Sequence, residues 1–290
     1  MLSFNELNSK FKSYNVVIGF YEYGRAKEII YSEAFKSKGI IAFWDDFEKF
    51  DYNYVKDNIE KFKETYNLLE DELSKKIYFS YIKARLSKIP NDLVQFCSKP
   101  QYFCEFMNIG QNEIFVDCGA YDGDTLKNFF DIEHGKYNKI YAFEPESNNY
   151  DELLKNTCNI HSVNLINKGT WKKDTVLKFS SDGTSSALND NCDIEIEVTS
   201  IDETVGLDEV TFIKMDIEGS ELATLKGAEK TIKRCMPKLA ICVYHKPEDL
   251  ITIPQYIKKF NLSNKKYKLY LRHHSMSSNE TVLYAVPTEY

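Results

Sequence analysis

The 290-residue sequence has no apolar run long enough to cross a membrane: stretches such as Leu239–Tyr244 and Val282–Val286 are strand-sized, far short of the roughly 20 residues a bilayer requires. It has no Cys-x-x-Cys pair either. The seven cysteines, at 97, 104, 118, 158, 192, 235 and 242, are odd in number and irregular in spacing. That pattern argues against a disulfide framework or a zinc site and for reduced thiols. The first twelve residues hold neither a continuous apolar segment nor a small-residue cleavage site, so the expected location is cytoplasmic. Positive charge is not in excess: 37 Lys and Arg against 44 Asp and Glu leave a net charge of −7. Sequence-independent nucleic-acid binding, which needs many phosphate-neutralising cations, is therefore not expected. No internal repeat or low-complexity stretch is present. With 43% hydrophobic and 28% charged residues, the chain has the composition of an ordinary globular protein.

Hydrophobic patterning divides the chain into two regions. In the first, Asn15–Phe20 and Ile40–Trp44 are strand-like, and Tyr23–Tyr31 between them is helix-like, a βαβ-like unit. Ile59, Phe62, Tyr66, Leu69, Leu73, Ile77 and Tyr81 then recur at three- and four-residue steps, which predicts two amphipathic helices. A boundary near 108–112 separates an N-terminal region, 1–107, from a domain over 108–290. From Ile114 onward strands and helices alternate, the pattern of a parallel sheet with crossover helices.

The strongest local feature is the strand Ile114–Asp117 running through Cys118, Gly119, Ala120, Tyr121, Asp122 and Gly123 into a helix at Thr125. Its two glycines allow a ligand to sit against the backbone, and the helix N-terminus points its N–H groups there. A dinucleotide site would require G-x-G-x-x-G. This turn has G-x-x-x-G flanked by Asp117, Asp122 and Asp124, and carboxylates suit the sulfonium and ammonium of S-adenosylmethionine better than a pyrophosphate. The next strand, Ile140–Phe143, ends in Glu144–Pro145, where an acidic residue hydrogen-bonds ribose hydroxyls in Rossmann-type sites.

Several ordered motifs strengthen this reading. Asp117–Thr125, Phe143–Glu144–Pro145, Asn167–Trp171, Lys214–Glu221, the segment Leu239–Leu250 with Tyr244–His245, Leu271–His274 and Glu280–Tyr284 resemble the successive motifs of the FkbM family of methyltransferases. The resemblance covers about residues 60–290. It implies a Rossmann-like class I methyltransferase sheet with helices on both faces, S-adenosylmethionine as cofactor, and O-methylation of a carbohydrate or related small molecule. The cofactor site is expected to comprise Asp117, Gly119, Ala120, Tyr121, Asp122, Gly123, Thr125, Glu144, Pro145, Lys168, Gly169 and Asp216, with Lys168 and Gly169 near the adenine.

Asp216 follows the strand Val210–Met215, at the carboxyl edge where open α/β sheets bind ligands. With Glu218 and Glu221 it offers oxygen ligands to a divalent cation. The preferred reading gives these carboxylates to the N-terminus of the helix from Ser220 and expects no metal. His245, His273 and His274 each follow a predicted strand. A histidine there can take the acceptor's proton; His245 is favoured, with His273 and Asp216 as alternatives. Ser185 and Ser186 are candidates for the acceptor's surroundings. The N-terminal unit, with Gly19, Gly24, Asp45 and Asp46, lacks the middle glycine of a dinucleotide fingerprint, and Gly24–Arg25–Ala26 excludes a Walker lysine. Two rival readings remain: methylation of a phosphate, amine or carboxylate on a small metabolite, and a cofactor-binding module without catalysis.

Overall fold

A computed structural model describes residues 4–12, 16–18, 41–43, 50–87, 91–133, 136–179, 194–276 and 278–288. Of the N-terminal unit, the expected strands are present as Val16–Ile18 (β1) and Ile41–Phe43 (β2), paired in parallel with Val16 opposite Ile41. Tyr23–Tyr31, Gly19, Gly24, Asp45 and Asp46 lie outside the described residues, as do His134, Ser185 and Ser186.

Seven strands form the central sheet: Ile114–Cys118 (β3), Lys139–Phe143 (β4), Val163–Ile166 (β5), Phe212–Met215 (β9), Lys238–Cys242 (β10), Tyr267–His273 (β11) and Thr281–Pro287 (β12). Between β5 and β9, Gly169–Thr170 (β6), Thr175–Phe179 (β7) and Ile194–Thr199 (β8) make a separate three-stranded sheet. The large sheet runs β11-β12-β10-β9-β3-β4-β5, parallel except where β12 inserts antiparallel between β10 and β11. This is the Rossmann-like methyltransferase sheet, and its pattern of burial follows from its coverage. The residues of β3, β4, β9 and β10 are buried almost without interruption, because helices cover both faces of a parallel sheet. Strand order reverses at β3, which pairs with β4 on one side and β9 on the other. A crevice at the carboxyl ends is expected at such a switch point.

The periodic stretch after Phe50 forms three helices rather than two: Tyr52–Asp57, Ile59–Leu68 and Glu72–Ser87. Asp51 caps the first through the Tyr54 N–H at 2.8 Å, and Asp71 receives the Ser74 N–H at 2.7 Å at the start of the third. Their buried Phe62, Ile77 and Tyr81 join the same core as Phe115 and Phe212 of the sheet. The third helix lies along β11, where Arg272 pairs with Asp71 at 2.7 Å and Ser74 accepts the Leu271 N–H at 2.9 Å. The Glu70 N–H donates to the Leu269 carbonyl at 2.8 Å, so the open edge of the sheet is partly covered. The expected helix 220–235 is broken into Glu221–Lys226 and Glu229–Cys235. At Gly227 the Trp171 carbonyl comes so close that a Cβ would lie 2.1 Å from it.

Candidate functional site

The turn after β3 is shaped by its glycines and by β4. Gly119 and Ala120 both donate their N–H groups to the Phe143 carbonyl, at 3.0 and 2.9 Å. Gly119 has φ +81°, and a Cβ there would lie 2.0 Å from the Asp216 carbonyl oxygen. Only glycine lets the end of β3 approach the end of β9 so closely. Two cavities meet at this contact, and both are lined by Gly119 and Asp216.

The first, about 200 Å³, lies between the ends of β3, β4 and β9 and the small sheet. Phe143, Trp171, Leu177, Ile196 and Val198 give it apolar walls, and Glu144, Pro145, Gly169 and Glu218 complete them. Glu144 is buried. One carboxylate oxygen accepts the Tyr121 N–H at 3.0 Å and the other the Glu146 N–H at 2.9 Å. Burial raises its pKa, against the pull of those two backbone donors. A carboxylate held in this way at the mouth of an apolar cleft can accept hydrogen bonds from a pair of ribose hydroxyls. Glu144→Ala is expected to weaken S-adenosylhomocysteine binding tenfold to over a hundredfold, from about 1.5–3 kcal/mol per charged hydrogen bond. An unchanged Kd by calorimetry would remove Glu144 from the site.

The second cavity, about 650 Å³, opens on the other side of Asp216, among Gln101, Tyr102, Thr125, Asn128, Lys214 and Glu280. Asp216 receives the Tyr102 hydroxyl at 2.7 Å and the Tyr244 hydroxyl at 3.1 Å. Tyr244 also lies 3.2 Å from Glu280, whose other oxygen accepts from the Gln101 amide. Burial would push the Asp216 carboxyl up, yet the cations of His245 and Lys214 hold it below the usual range. Buried Arg85, on helix Glu72–Ser87, donates to the carbonyls of Tyr244 at 3.1 Å and Ser278 at 3.2 Å and so ties the helical region to this corner.

Several expected site residues are placed elsewhere. Asp117 is wholly buried and faces Lys214 at 3.0 Å, away from both cavities. Burial raises its carboxyl to about 6 even with that cation beside it. Lys214 also donates to the Gly119 carbonyl at 2.6 Å, so the pair braces the turn instead of contacting a ligand. Ala120 is buried, Tyr121 contributes its N–H to Glu144 while its side chain is exposed, and Asp122 accepts the Asp124 N–H at 3.2 Å. Gly123, at φ +92°, packs against Leu153. These four shape the turn and line neither cavity. Lys168 reaches outward to Glu197 at 2.8 Å, leaving Gly169 in the cavity wall. His273 is buried with Nδ1 2.9 Å from the Thr281 hydroxyl, on β11, which β12 and β10 separate from β9. His274 is held by the Ser98 carbonyl and the Tyr284 hydroxyl, and burial lowers it to about 4.

His245 lies three residues past the end of β10 and touches Asp216 from behind, though it lines neither cavity. Its Nδ1 is 2.8 Å from Glu221, and its Nε2 is 3.4 Å from Asp216 and 3.6 Å from Glu218. Burial alone would lower its pKa; the three carboxylates outweigh that and raise it to about 10. The imidazole thus carries its proton near neutrality, whereas the general base expected here would be neutral. Glu221 meets this contact and the Ile217 N–H, at 3.0 Å, with the same oxygen, Oε1, and its other oxygen is buried without a hydrogen bond. Among the described residues no group of three acidic, histidine or cysteine side chains is arranged to hold a metal ion.

Because the folded pKa of His245 lies above the ordinary 6.5, its stabilising contribution is complete below pH 6.5 and is lost as pH rises through about 10. The unfolding free energy of the wild type is expected to fall over pH 7–10 by on the order of a few kcal/mol, read as a falling melting temperature, and that of His245→Gln to fall less. Parallel curves for the two proteins would show that the charge is not there.

The FkbM methyltransferase domain matches residues 117–269. The structure is similar to that of methyltransferase FkbM from Methylobacillus flagellatus KT, with 28% identity and a TM-score of 0.69 over 80% of this chain. That match takes in 60% of the other protein, so the chain spans about three fifths of its length. An rRNA methylase from Streptococcus thermophilus shares 16% identity over 62% of this chain and 90% of its own, with a TM-score of 0.42. Aeropyrum pernix fibrillarin, bound to S-adenosyl-L-methionine, shares 13% over 61% and 69%, with a TM-score of 0.41. These two likenesses are too slight to bear on function. No curated protein matches the chain. With more than half of its length matched, residues 117–269, the chain belongs to the FkbM family of methyltransferases.

Proposed function

We propose that the protein transfers a methyl group from S-adenosylmethionine to a hydroxyl of a carbohydrate or related small molecule. The observation that carries this reading is the first cavity, where the fixed carboxylate of Glu144 borders apolar walls at the switch point of the sheet. Glu144 would hold the ribose, Trp171, Leu177, Ile196 and Val198 would enclose the purine with the Gly169 backbone, and Asp216 would face the cationic end. When bound, S-adenosylmethionine supplies a methyl on a positively charged sulfur, already activated for displacement.

The protein's own contribution is then mainly alignment. Gly119 lets the ends of β3 and β9 close on one another beside the cavity, and Asp216 is fixed by two tyrosine hydroxyls where the two cavities adjoin. Orientation of this kind is worth effective molarities of roughly 10⁵–10⁸ M. The methyltransferase domain is assigned to residues 108–290, with 1–107 preceding it as an α/β and helical region. The same reading places the reaction in the cytoplasm and gives the protein no nucleic-acid partner; no helix among the described residues is long and apolar enough to cross a membrane. A screen of small hydroxyl compounds with methyl-labelled cofactor, read by mass spectrometry, tests the assignment. Label on a hydroxyl oxygen is the expected result, and label on nitrogen, carboxylate or phosphate alone would replace it with the rival chemistry.

A further inference from the structure

We propose that the second cavity receives the methyl acceptor and that Glu280 is the residue that takes the acceptor's hydroxyl proton. The inference rests on the methyltransferase reading above and adds to it the place of the acceptor, the base and the acceptor's charge class.

The cavity's size and position carry the first half. Its 650 Å³ leaves room for a small molecule beside the first cavity. Among the described residues it shares Gly119 and Asp216 with the first cavity, so the two cavities lie against opposite sides of that contact. Its walls are polar: Gln101, Thr125, Asn128 and Asp131 offer donors and acceptors of the kind a hydroxyl-rich molecule satisfies. Four carboxylates, Asp124, Asp131, Asp216 and Glu280, border it, against Lys99 and a Lys214 already matched by Asp117. A neutral or cationic acceptor, such as a sugar or an amino sugar, fits this lining, and a phosphate or carboxylate does not.

Elimination and local geometry carry the second half. His245 is already protonated, and Asp216, held ionised by His245 and Lys214, is a weak base. Glu144 and Glu218 face the first cavity alone, and Asp124 and Asp131 are solvent-exposed on the helix Asp124–Glu133. Glu280 lines the second, is held by Gln101 and Tyr244, and is made more basic by burial and by the neighbouring charge of Asp216. It sits at φ 57° and Tyr102 at φ 66°, backbone conformations that cost energy in non-glycine residues and cluster at functional sites. In the step, the acceptor oxygen bonds to the methyl carbon, the carbon–sulfur pair returns to sulfur, and the O–H proton passes to the Glu280 carboxylate. The products are a methyl ether, a neutral thioether and a carboxylic acid that returns its proton to water.

The groups facing Glu280 are Asp216, Tyr102, Cys242, Tyr244 and His245. Burial raises Tyr102, Cys242 and Tyr244 well above neutrality, Asp216 is lowered and His245 is raised to about 10. Among these groups Glu280 is the carboxyl that its surroundings raise, so part of the fall of kcat/KM toward acid pH should belong to it. The test uses methyl-labelled cofactor with a panel of neutral sugars, amino sugars, sugar phosphates and uronic acids, and compares wild type with Glu280→Gln and Glu280→Asp. Label is expected on neutral or amino sugars. Glu280→Gln should lose about 10²–10⁴ in rate and that part of the acid limb, Glu280→Asp should retain more, and calorimetry should show S-adenosylhomocysteine affinity unchanged in both. Full activity in Glu280→Gln, or a flat wild-type profile on the acid side, overturns the role of Glu280. Preferential labelling of sugar phosphates or uronic acids overturns the assignment of the cavity. No label on any compound, from protein that binds S-adenosylhomocysteine, counts against the acceptor class and this inference together, whereas failure to bind it defeats the methyltransferase reading itself.

Discussion

Gly119→Ala is expected to abolish S-adenosylhomocysteine binding and to destabilise the fold by on the order of 3–5 kcal/mol, the sum of a left-handed backbone forced on alanine and an overpacked contact. The new methyl would sit 2.0 Å from the Asp216 carbonyl oxygen. Neither a rotamer change nor a side-chain shift relieves that clash, because the obstacle is backbone and the added atom is a Cβ. The ends of β3 and β9 would have to separate, opening the junction that both cavities share. Calorimetric titration and thermal melting together check this. A variant with normal affinity and normal melting would mean that the two strand ends are not in contact.

Lys214→Met is expected to be of similar severity for a different reason. Asp117 and Lys214 are register partners on β3 and β9, both almost wholly buried, and the lysine also donates to the Gly119 carbonyl. Removing one member of a buried ion pair leaves an uncompensated charge at a cost of about 3–5 kcal/mol. At roughly 2–4 °C per kcal/mol for chains approaching this size, the melting temperature should drop by roughly 6–20 °C. Replacing both partners, as Asp117→Leu with Lys214→Met, should recover much of the loss, since paired apolar groups need no counter-charge. If the double variant is no more stable than Lys214→Met alone, the pair is not what the charge was for.

What the sequence disclosed was local, and what it concealed depends on register or on distant loops. The strand, glycine turn and helix around 114–125, and the acidic end of β4 at Glu144, are legible because each is contiguous and follows backbone rules. The fate of Asp117 is not: whether its carboxylate faces a ligand or Lys214 depends on pairing β3 with β9, 97 residues away along the chain. The position of His245 after β10 was readable, but its charge was not, because the three carboxylates that raise its pKa arrive from the β9 end and the helix that follows it. Tyr102 and Glu280 converge on Asp216, directly and through Tyr244, from loops with no periodic pattern. Their signal was chemical only, in the Glu280–Tyr284 motif and in the Tyr244 that precedes His245. Lys168 shows the converse, a residue beside the right strand end whose side chain turns outward to Glu197.

The central claim is that the cavity between the ends of β3, β4 and β9 holds S-adenosylmethionine and its demethylated product. Isothermal titration of the purified protein with S-adenosylhomocysteine tests it most directly, because it needs no knowledge of the acceptor. The account predicts saturable binding at one site per chain, weakened at least tenfold by Glu144→Ala. A titration without binding heat, on protein whose cooperative melting shows it folded and whose melting temperature the ligand does not raise, would contradict it.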